Sequence, residues 1–109
     1  MSNDCYIEIL TFEGCPNAEV AVDRVTQALR AEGASLDVRV TLVETQEDAQ
    51  NLQFLGSPSI RVGGSDVEVA ARTRIDYGLM CRTYPVENGR EGAPTVESIR
   101  AAIRSVYSV

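Results

Sequence analysis

The sequence predicts a single α/β domain, residues 1–109, in which helices flank a mixed four-stranded sheet. Its 109 residues are 44% apolar, which is enough for one hydrophobic core and not for two. Segments in which apolar residues alternate with polar ones, as in strands, are followed by segments in which apolar residues recur at helical spacing, and the predicted order is βαβα followed by ββα. This order places the first three strands in a right-handed crossover arrangement and adds an antiparallel pair at the end.

The first half of the chain contains two strands and two helices. Residues 5–12 are rich in β-branched and aromatic residues and form the first predicted strand. Apolar residues then recur at helical spacing over 16–32, up to a glycine stop signal. Period-two alternation over 36–43 predicts the second strand. An N-cap threonine followed by acidic residues predicts a short helix over 46–54.

The second half begins with a strand whose first residue is a proline, Pro58, and which ends at a Gly63–Gly64 hairpin turn. Residues 65–77 show no clear periodicity, and the pattern assigns them no element. Residues 79–84 have strand character and form the predicted fourth strand, antiparallel to the third. Helical spacing predicts a last helix from residue 94 onward.

Charge and composition exclude several function classes. The 10 cations against 16 Asp and Glu give a net charge of −6, which argues against nucleic acid and against an anionic membrane surface as partners. The chain has no His, so it cannot run Ser-His-Asp or Cys-His catalysis or build an imidazole metal site. All its cations are Arg, which excludes Schiff-base and P-loop chemistry. We therefore expect no cofactor and no metal centre of the common kinds.

Three cysteines, Cys5, Cys15 and Cys81, are the remaining candidates for chemistry. An odd number of cysteines, with no secretory segment, does not indicate a disulfide framework. No apolar run approaches the roughly 20 residues that a membrane span needs. The sequence therefore predicts a cytoplasmic protein whose thiols are reduced, and a reactive thiol becomes the leading hypothesis.

Cys15 follows the first predicted strand and is predicted to be the N-cap of the first helix, with Pro16 at the first helical position. The helix dipole and the unpaired N–H groups at such a position favour the thiolate, which is the nucleophilic form of cysteine. The nearby carboxylate of Glu13 opposes this effect. The alternative is that Cys15 is a small, partly buried apolar residue that closes the turn.

Two motifs give the chain a resemblance to the thioredoxin-like superfamily over most of its length. These are Gly14-Cys15-Pro16 after the first strand and Gly56-Ser57-Pro58-Ser59-Ile60 at the start of the third, and the predicted order of elements is that of the thioredoxin fold. The resemblance implies that Pro58 follows a cis peptide bond, that Ser57 faces Cys15, and that Pro16, Ser57 and Pro58 bind the substrate.

A narrower resemblance links residues 12–17, 54–58 and 78–84 to small bacterial thioredoxin-like proteins that are often labelled alkylmercury lyase-related. Authentic alkylmercury lyases cleave the carbon–mercury bond with a pair of cysteines and an aspartate inside a larger protein. Their surrounding sequence is absent from this chain. This resemblance therefore implies the fold and not the lyase activity.

The chain departs from thioredoxins at the second cysteine of the Cys-x-x-Cys motif, because alanine follows Cys15 at that spacing. A mixed disulfide at Cys15 must then be resolved by an outside thiol, by Cys81 or by Cys5. Cys5 lies at the far end of the first strand, beyond the reach of a disulfide, and is interpreted as a packing residue. Cys81 either pairs with Cys15 in redox or ligand chemistry or is a core thiol. Its neighbour Arg82 is expected to face solvent.

Three functions follow from these residues. The leading one is thiol-disulfide exchange by Cys15 with a protein or a low-molecular-weight thiol or disulfide. The second is capture of a thiophilic ion such as mercury by Cys15 and Cys81 together. The third is an inert interaction module that keeps the fold without the chemistry. Glu8, a polar residue in an apolar strand, is interpreted as partly exposed or paired with Arg rather than as a proton relay.

Overall fold

A mixed four-stranded sheet with three helices forms the body of the protein in a computed structural model, which describes residues 6–107. The strands of this sheet are β1 (Tyr6–Thr11), β2 (Asp37–Leu42), β3 (Ser59–Val62) and β4 (Ser65–Asp66), in the spatial order β2-β1-β3-β4. The helices are α1 (Ala18–Glu32), α2 (Gln46–Asn51) and α3 (Val96–Tyr107), and Val69–Ala71 forms a short 3-10 turn. Strands β5 (Tyr84–Val86) and β6 (Gly89–Glu91) form a separate hairpin.

The register of the sheet decides which loops meet at its edges. Strand β1 is parallel to β2 and antiparallel to β3, and β4 is antiparallel to β3. Thr11 at the end of β1 pairs with Leu42 at the end of β2, whereas Leu10 pairs with Ser59 at the start of β3. The loops that follow β1 and β2 and the loop that precedes β3 therefore all lie at one edge of the sheet, the one formed by the C-terminal ends of β1 and β2.

Each face of the sheet has its own apolar cluster, because successive strand residues point to opposite sides. Helices α1 and α3 pack against each other and cover one face. The core of that face consists of Ile7, Ile9, Ala21, Val25, Ala28, Ile60, Val62, Val67, Tyr84, Ile99, Ala102 and Ile103. A smaller cluster beside α2, formed by Leu10, Val43, Ala49 and Phe54, contains residues of the other face.

Local sequence signals account for the helix ends. Gly33 ends α1 in the left-handed conformation, with φ of 63°, as the glycine stop signal predicts. The Thr45 side chain accepts a hydrogen bond from the Asp48 N–H at 3.0 Å, which confirms the predicted N-cap of α2. Thr95 accepts in the same way from the N–H three residues later, at the start of α3. None of the helices within residues 6–107 has the length and apolar character needed to cross a membrane.

The prediction for the fourth strand is wrong. The fourth strand of the sheet is Ser65–Asp66, inside the segment that showed no periodicity, and residues 79–83 contribute only an isolated bridge at Cys81. The reason is the predicted Gly63–Gly64 turn, in which both glycines have positive φ. A two-residue turn folds the next residues directly back onto β3. Ser65–Asp66 therefore take the position beside β3, and residues 79–84 do not.

Candidate functional site around Cys15

Cys15 lies in a tight turn that connects β1 to α1. Its backbone N–H donates to the Phe12 carbonyl at 3.2 Å, and its own carbonyl accepts from the Ala18 N–H at 3.4 Å. Gly14 has φ of 86°, a left-handed conformation that favours glycine at this position. The Cys15 side chain is half-buried, whereas the neighbouring Pro16 is exposed. The turn therefore presents the thiol at the edge of the sheet.

The N-cap of α1 is Asn17, so the prediction that Cys15 occupies this position is wrong. The turn from Cys15 to Ala18 contains Pro16 and Asn17, and regular helical bonding begins with the Ala21 N–H donating to the Asn17 carbonyl at 3.0 Å. The Asn17 side chain makes no capping hydrogen bond. The first turn of α1 thus has no hydrogen bond from the side chain of its N-cap residue, and it contains one acidic residue, Glu19, near the positive end of the helix dipole.

The loop before β3 contains the cis peptide bond between Ser57 and Pro58 that the resemblance implies. Because Ser59 pairs with Leu10, this loop lies at the same edge of the sheet as the Cys15 turn. Both Ser57 and Pro58 are buried. Ser57 and Pro58, two of the three residues expected to bind substrate, thus lie near the end of β1, but their side chains are covered in the folded chain, whereas Pro16 is exposed.

The backbone N–H and C=O groups of Ser57 are already hydrogen-bonded to residues 80–82 of the same chain. The Ser57 N–H donates to the Met80 carbonyl at 2.8 Å, the Arg82 N–H donates to the Ser57 carbonyl at 3.1 Å, and Cys81 forms a parallel bridge with Ser57. The approach is close, because a Cβ on Gly56 would lie 2.8 Å from the Cβ of Arg82. An external peptide can therefore pair with Ser57 only by displacing this segment.

A buried ionic network fixes this segment against the loop. Arg82 donates to both carboxylate oxygens of Asp66 at 2.8 Å, to Glu68 at 3.1 Å and to the Ser59 hydroxyl at 3.0 Å. The Tyr84 hydroxyl donates to the Pro58 carbonyl at 2.5 Å. Arg82 is only 4% exposed, so its predicted exposure to solvent is wrong. Residues 79–83 do not form the fourth strand of the sheet. In this segment the Arg82 side chain points into the protein, and the Cys81 side chain points to solvent.

The charge states in the network are fixed by burial and by hydrogen bonds. Burial by itself lowers the pKa of Arg82, but the hydrogen bond to Asp66 and the other nearby acidic groups outweigh it, so the pKa is raised. Burial raises the pKa of Tyr84, which keeps the phenol neutral as a hydrogen-bond donor. Neither group is therefore suited to exchange protons with a substrate, and the network has a structural role.

Cys81 is exposed, so the alternative that it is a core thiol is wrong. Through its bridge to Ser57, it lies at the edge of the sheet that also carries Cys15. Cys5 lies outside the described residues. Glu8 accepts a hydrogen bond from the Thr41 hydroxyl at 2.9 Å and lies 4.0 Å from Arg61, which confirms its interpretation as a partly exposed residue paired with Arg.

A groove of about 420 Å³ lies beside the Cys15 turn. It is lined by Phe12, Glu13, Leu42, Val43, Glu44 and Leu79. Phe12 belongs to this lining and is also the hydrogen-bond acceptor of Cys15. The carboxylates of Glu13 and Glu44 are exposed and form no ion pair with any residue in 6–107. The groove thus combines apolar walls with two free negative charges.

The network residues were missed as site residues by the sequence analysis. Asp66 lies in the segment that showed no periodicity, and Arg82 was predicted to face solvent although it is buried. The available signal was the period-two alternation of residues 80–84, which correctly separates Cys81 from Arg82 and Tyr84. That pattern does not say which side is buried, because an Arg side chain is normally exposed unless a partner carboxylate is present.

Comparisons with known proteins provide no identification. No family model, no curated protein and no solved structure matches the chain. Within residues 6–107, no group of three or more His, Cys, Asp or Glu side chains is arranged to hold a metal ion. The function must therefore be argued from the geometry around Cys15.

Proposed function

We propose that the protein is a thioredoxin-like protein in which Cys15 performs thiol-disulfide exchange with low-molecular-weight disulfides. The observation that carries the proposal is the position of Cys15. It lies two residues before the N-cap of α1, a helix without a side-chain cap, and at the sheet edge that also carries the cis Ser57–Pro58 bond. The sheet order β2-β1-β3-β4, with β3 antiparallel to β1, further supports the thioredoxin-like assignment.

In the proposed reaction, the Cys15 thiolate attacks one sulfur of a small disulfide, R–S–S–R. A new S–S bond forms between Cys15 and one R–S group, the original S–S bond breaks, and the second R–S group leaves as a thiolate. A second thiol then attacks the R–S sulfur of the mixed disulfide, which returns Cys15 as a thiolate and gives a new small disulfide. A reducing compartment such as the cytoplasm supplies this second thiol.

The occupied backbone of Ser57 favours a small substrate over a protein chain. Peptide recognition at a sheet edge uses free backbone N–H and C=O groups, and those of Ser57 already bond to Met80 and Arg82. The groove beside the turn offers an alternative contact surface for a small molecule. Because Glu13 and Glu44 line it, an apolar group that is uncharged or cationic fits better than an anionic one.

A second candidate function is capture of a thiophilic ion such as mercury by Cys15 and Cys81. The observation that favours it is the exposed Cys81, which lies at the same sheet edge as Cys15. Two thiolates are suitable ligands for a soft ion. A third possibility, an inert interaction module, requires neither thiol.

One set of variants separates these functions. The wild type, Cys15→Ser and Cys81→Ser are each treated with cystamine, a small cationic disulfide, and the modified cysteines are identified by mass spectrometry. Exchange by Cys15 predicts that the rapid modification is lost in Cys15→Ser and retained in Cys81→Ser. If both variants keep it, the exchange proposal is wrong.

Titration of the same proteins with Hg²⁺ tests the second candidate. Joint capture predicts that either substitution abolishes the tight 1:1 complex, because a single thiolate remains at the site. If Hg²⁺ binds both variants as tightly as the wild type, this candidate is excluded. A wild type that shows neither the rapid modification nor the tight Hg²⁺ complex would leave the inert module as the surviving description.

A further inference from the structure

Strand β2 is an edge strand with an exposed apolar stripe. Within residues 6–107, β2 pairs only with β1, so its outer side carries no strand. Val38, Val40 and Leu42 point to the same face as the buried Ile7 and Ile9, but their side chains are 38%, 56% and 55% exposed. Natural proteins usually protect such edges with Pro, a bulge or charged side chains; β2 contains no Pro, Lys or bulge, and its two charged residues, Asp37 and Arg39, have opposite signs. The stripe is therefore suited to pairing with another strand.

The backbone of β2 presents free hydrogen-bonding groups at the same residues. The Val43 N–H donates to the Thr11 carbonyl at 2.8 Å, so the backbone of Val43 faces β1. Backbone groups of successive strand residues point in alternate directions. The N–H and C=O groups of Val38, Val40 and Leu42 therefore point away from β1, toward the open edge.

The charges of β2 are complementary to those of a second, antiparallel β2. Asp37 and Arg39 are exposed on the face opposite the apolar stripe, and neither makes an ion pair with any residue in 6–107. The Arg39 guanidinium stacks 4.0 Å above the ring of Tyr6, which holds it on this face. If Val38 lies opposite Val38 of the partner subunit, Asp37 faces Arg39 of the partner subunit, and the converse pair forms by symmetry.

The neighbouring registers are less favourable. A register with Arg39 opposite Arg39 of the partner subunit brings like charges together at the shortest cross-strand distance. A register centred on Val40 places Arg39 opposite Thr41 of the partner subunit and forms no ion pair. The register centred on Val38 also sets Val40 against Leu36 of the partner subunit, so apolar side chains meet on the other face.

We propose that β2 is a self-association surface, which pairs antiparallel with β2 of a second copy of this chain and has Val38 on the two-fold axis. The pairing joins the two four-stranded sheets into one continuous sheet and covers Val38 and Val40. The contact involves few residues, so the dimer is weak and exchanges with the monomer. This inference does not depend on the chemistry of Cys15.

Sedimentation velocity on the full chain, over concentrations of about 1 µM to 1 mM, tests the proposal. The wild type should show a dimer fraction that grows with concentration. Asp37→Arg and Arg39→Asp should each weaken dimerisation about tenfold or more, because like charges then face each other. The double exchange Asp37→Arg/Arg39→Asp restores opposite charges and should recover the wild-type affinity. As a control, Glu87→Arg changes an exposed charge in the β5–β6 turn and should leave the affinity unchanged.

A disulfide trap tests the register directly. In a chain whose native cysteines are replaced by Ser, Val38→Cys places two thiols across the axis at about 5.5 Å between Cα atoms, a distance that a disulfide can bridge. Mild oxidation should give a covalent dimer. Val22→Cys is the matched control, because Val22 on α1 is 37% exposed, close to the 38% of Val38. This variant should give little covalent dimer. A monomer at every concentration, equal affinities of the single and double charge variants, or equal crosslinking at both cysteines would overturn the proposal.

Discussion

Replacing Arg82 with methionine should destabilise the protein strongly. The Arg82 side chain is 2% exposed and holds Asp66 through two hydrogen bonds of 2.8 Å, while the Asp66 side chain is 8% exposed. Methionine has a similar length and keeps much of the apolar packing, so the substitution chiefly removes the charge and its hydrogen bonds. It leaves the Asp66 carboxylate buried without its main partner.

The size of the effect follows from this unpaired charge. Removing one partner of a buried ion pair typically costs about 3–5 kcal/mol, against a total unfolding free energy of about 5–15 kcal/mol for a domain. Most of this cost comes from the remaining carboxylate. A second substitution, Asp66→Asn, removes the charge and keeps an oxygen for the Glu68 N–H, which donates to Asp66 at 2.8 Å. The double variant should therefore recover at least half of the loss.

Urea unfolding followed by circular dichroism measures these free energies. Arg30→Met serves as the matched control, because Arg30 is exposed on α1 and the same substitution there should change stability by no more than about 0.5 kcal/mol. The reasoning is refuted if Arg82→Met costs less than about 1 kcal/mol, or if adding Asp66→Asn brings no recovery.

Two further predictions concern the carboxylates of Glu32, which is half-buried, and Glu13, which is exposed. Hydrogen bonds from Arg104 and Arg100 lower the pKa of Glu32 below its ordinary value of 4.5, so its stabilising effect is present above that value and is lost as the pH falls through the lowered pKa. Urea midpoints should show Glu32→Gln to be less stable than the wild type at neutral pH, with the difference vanishing in acid; a difference that persists in acid would contradict this. Glu13→Gln should lower by about twofold the preference of Cys15 for cationic over anionic disulfides, measured by alkylation-quenched mass spectrometry. An unchanged preference would show that this carboxylate does not act on the substrate.

The pattern of local signals predicted most of the elements. Helix α1, strands β1 and β2 and the Gly63–Gly64 turn follow from periodicity, caps and turn residues, which act over a few residues. The fourth strand could not be found in this way. Ser65–Asp66 is too short for an alternation signal, and it pairs with β3 because the glycine turn places it there.

The site was predicted only in part, because its parts come from distant segments. The cis bond at Pro58 was expected from the motif and is present. The inward position of Arg82 was not, since it depends on Asp66 lying across from it in the folded chain. The occupied backbone of Ser57 is likewise a property of the tertiary structure, and it shifts the expected substrate from protein chains to small disulfides.

The proposed function depends most directly on the relative reactivity of two thiols in one molecule. The reduced wild-type protein is mixed with cystamine, quenched at short times by an alkylating reagent, and digested for mass spectrometry. Cys81 is exposed, whereas Cys15 is half-buried, so accessibility alone would make Cys81 the faster-reacting thiol. The account predicts the reverse, with the mixed disulfide at Cys15 forming about tenfold faster or more. Modification of Cys81 at an equal or higher rate would contradict it.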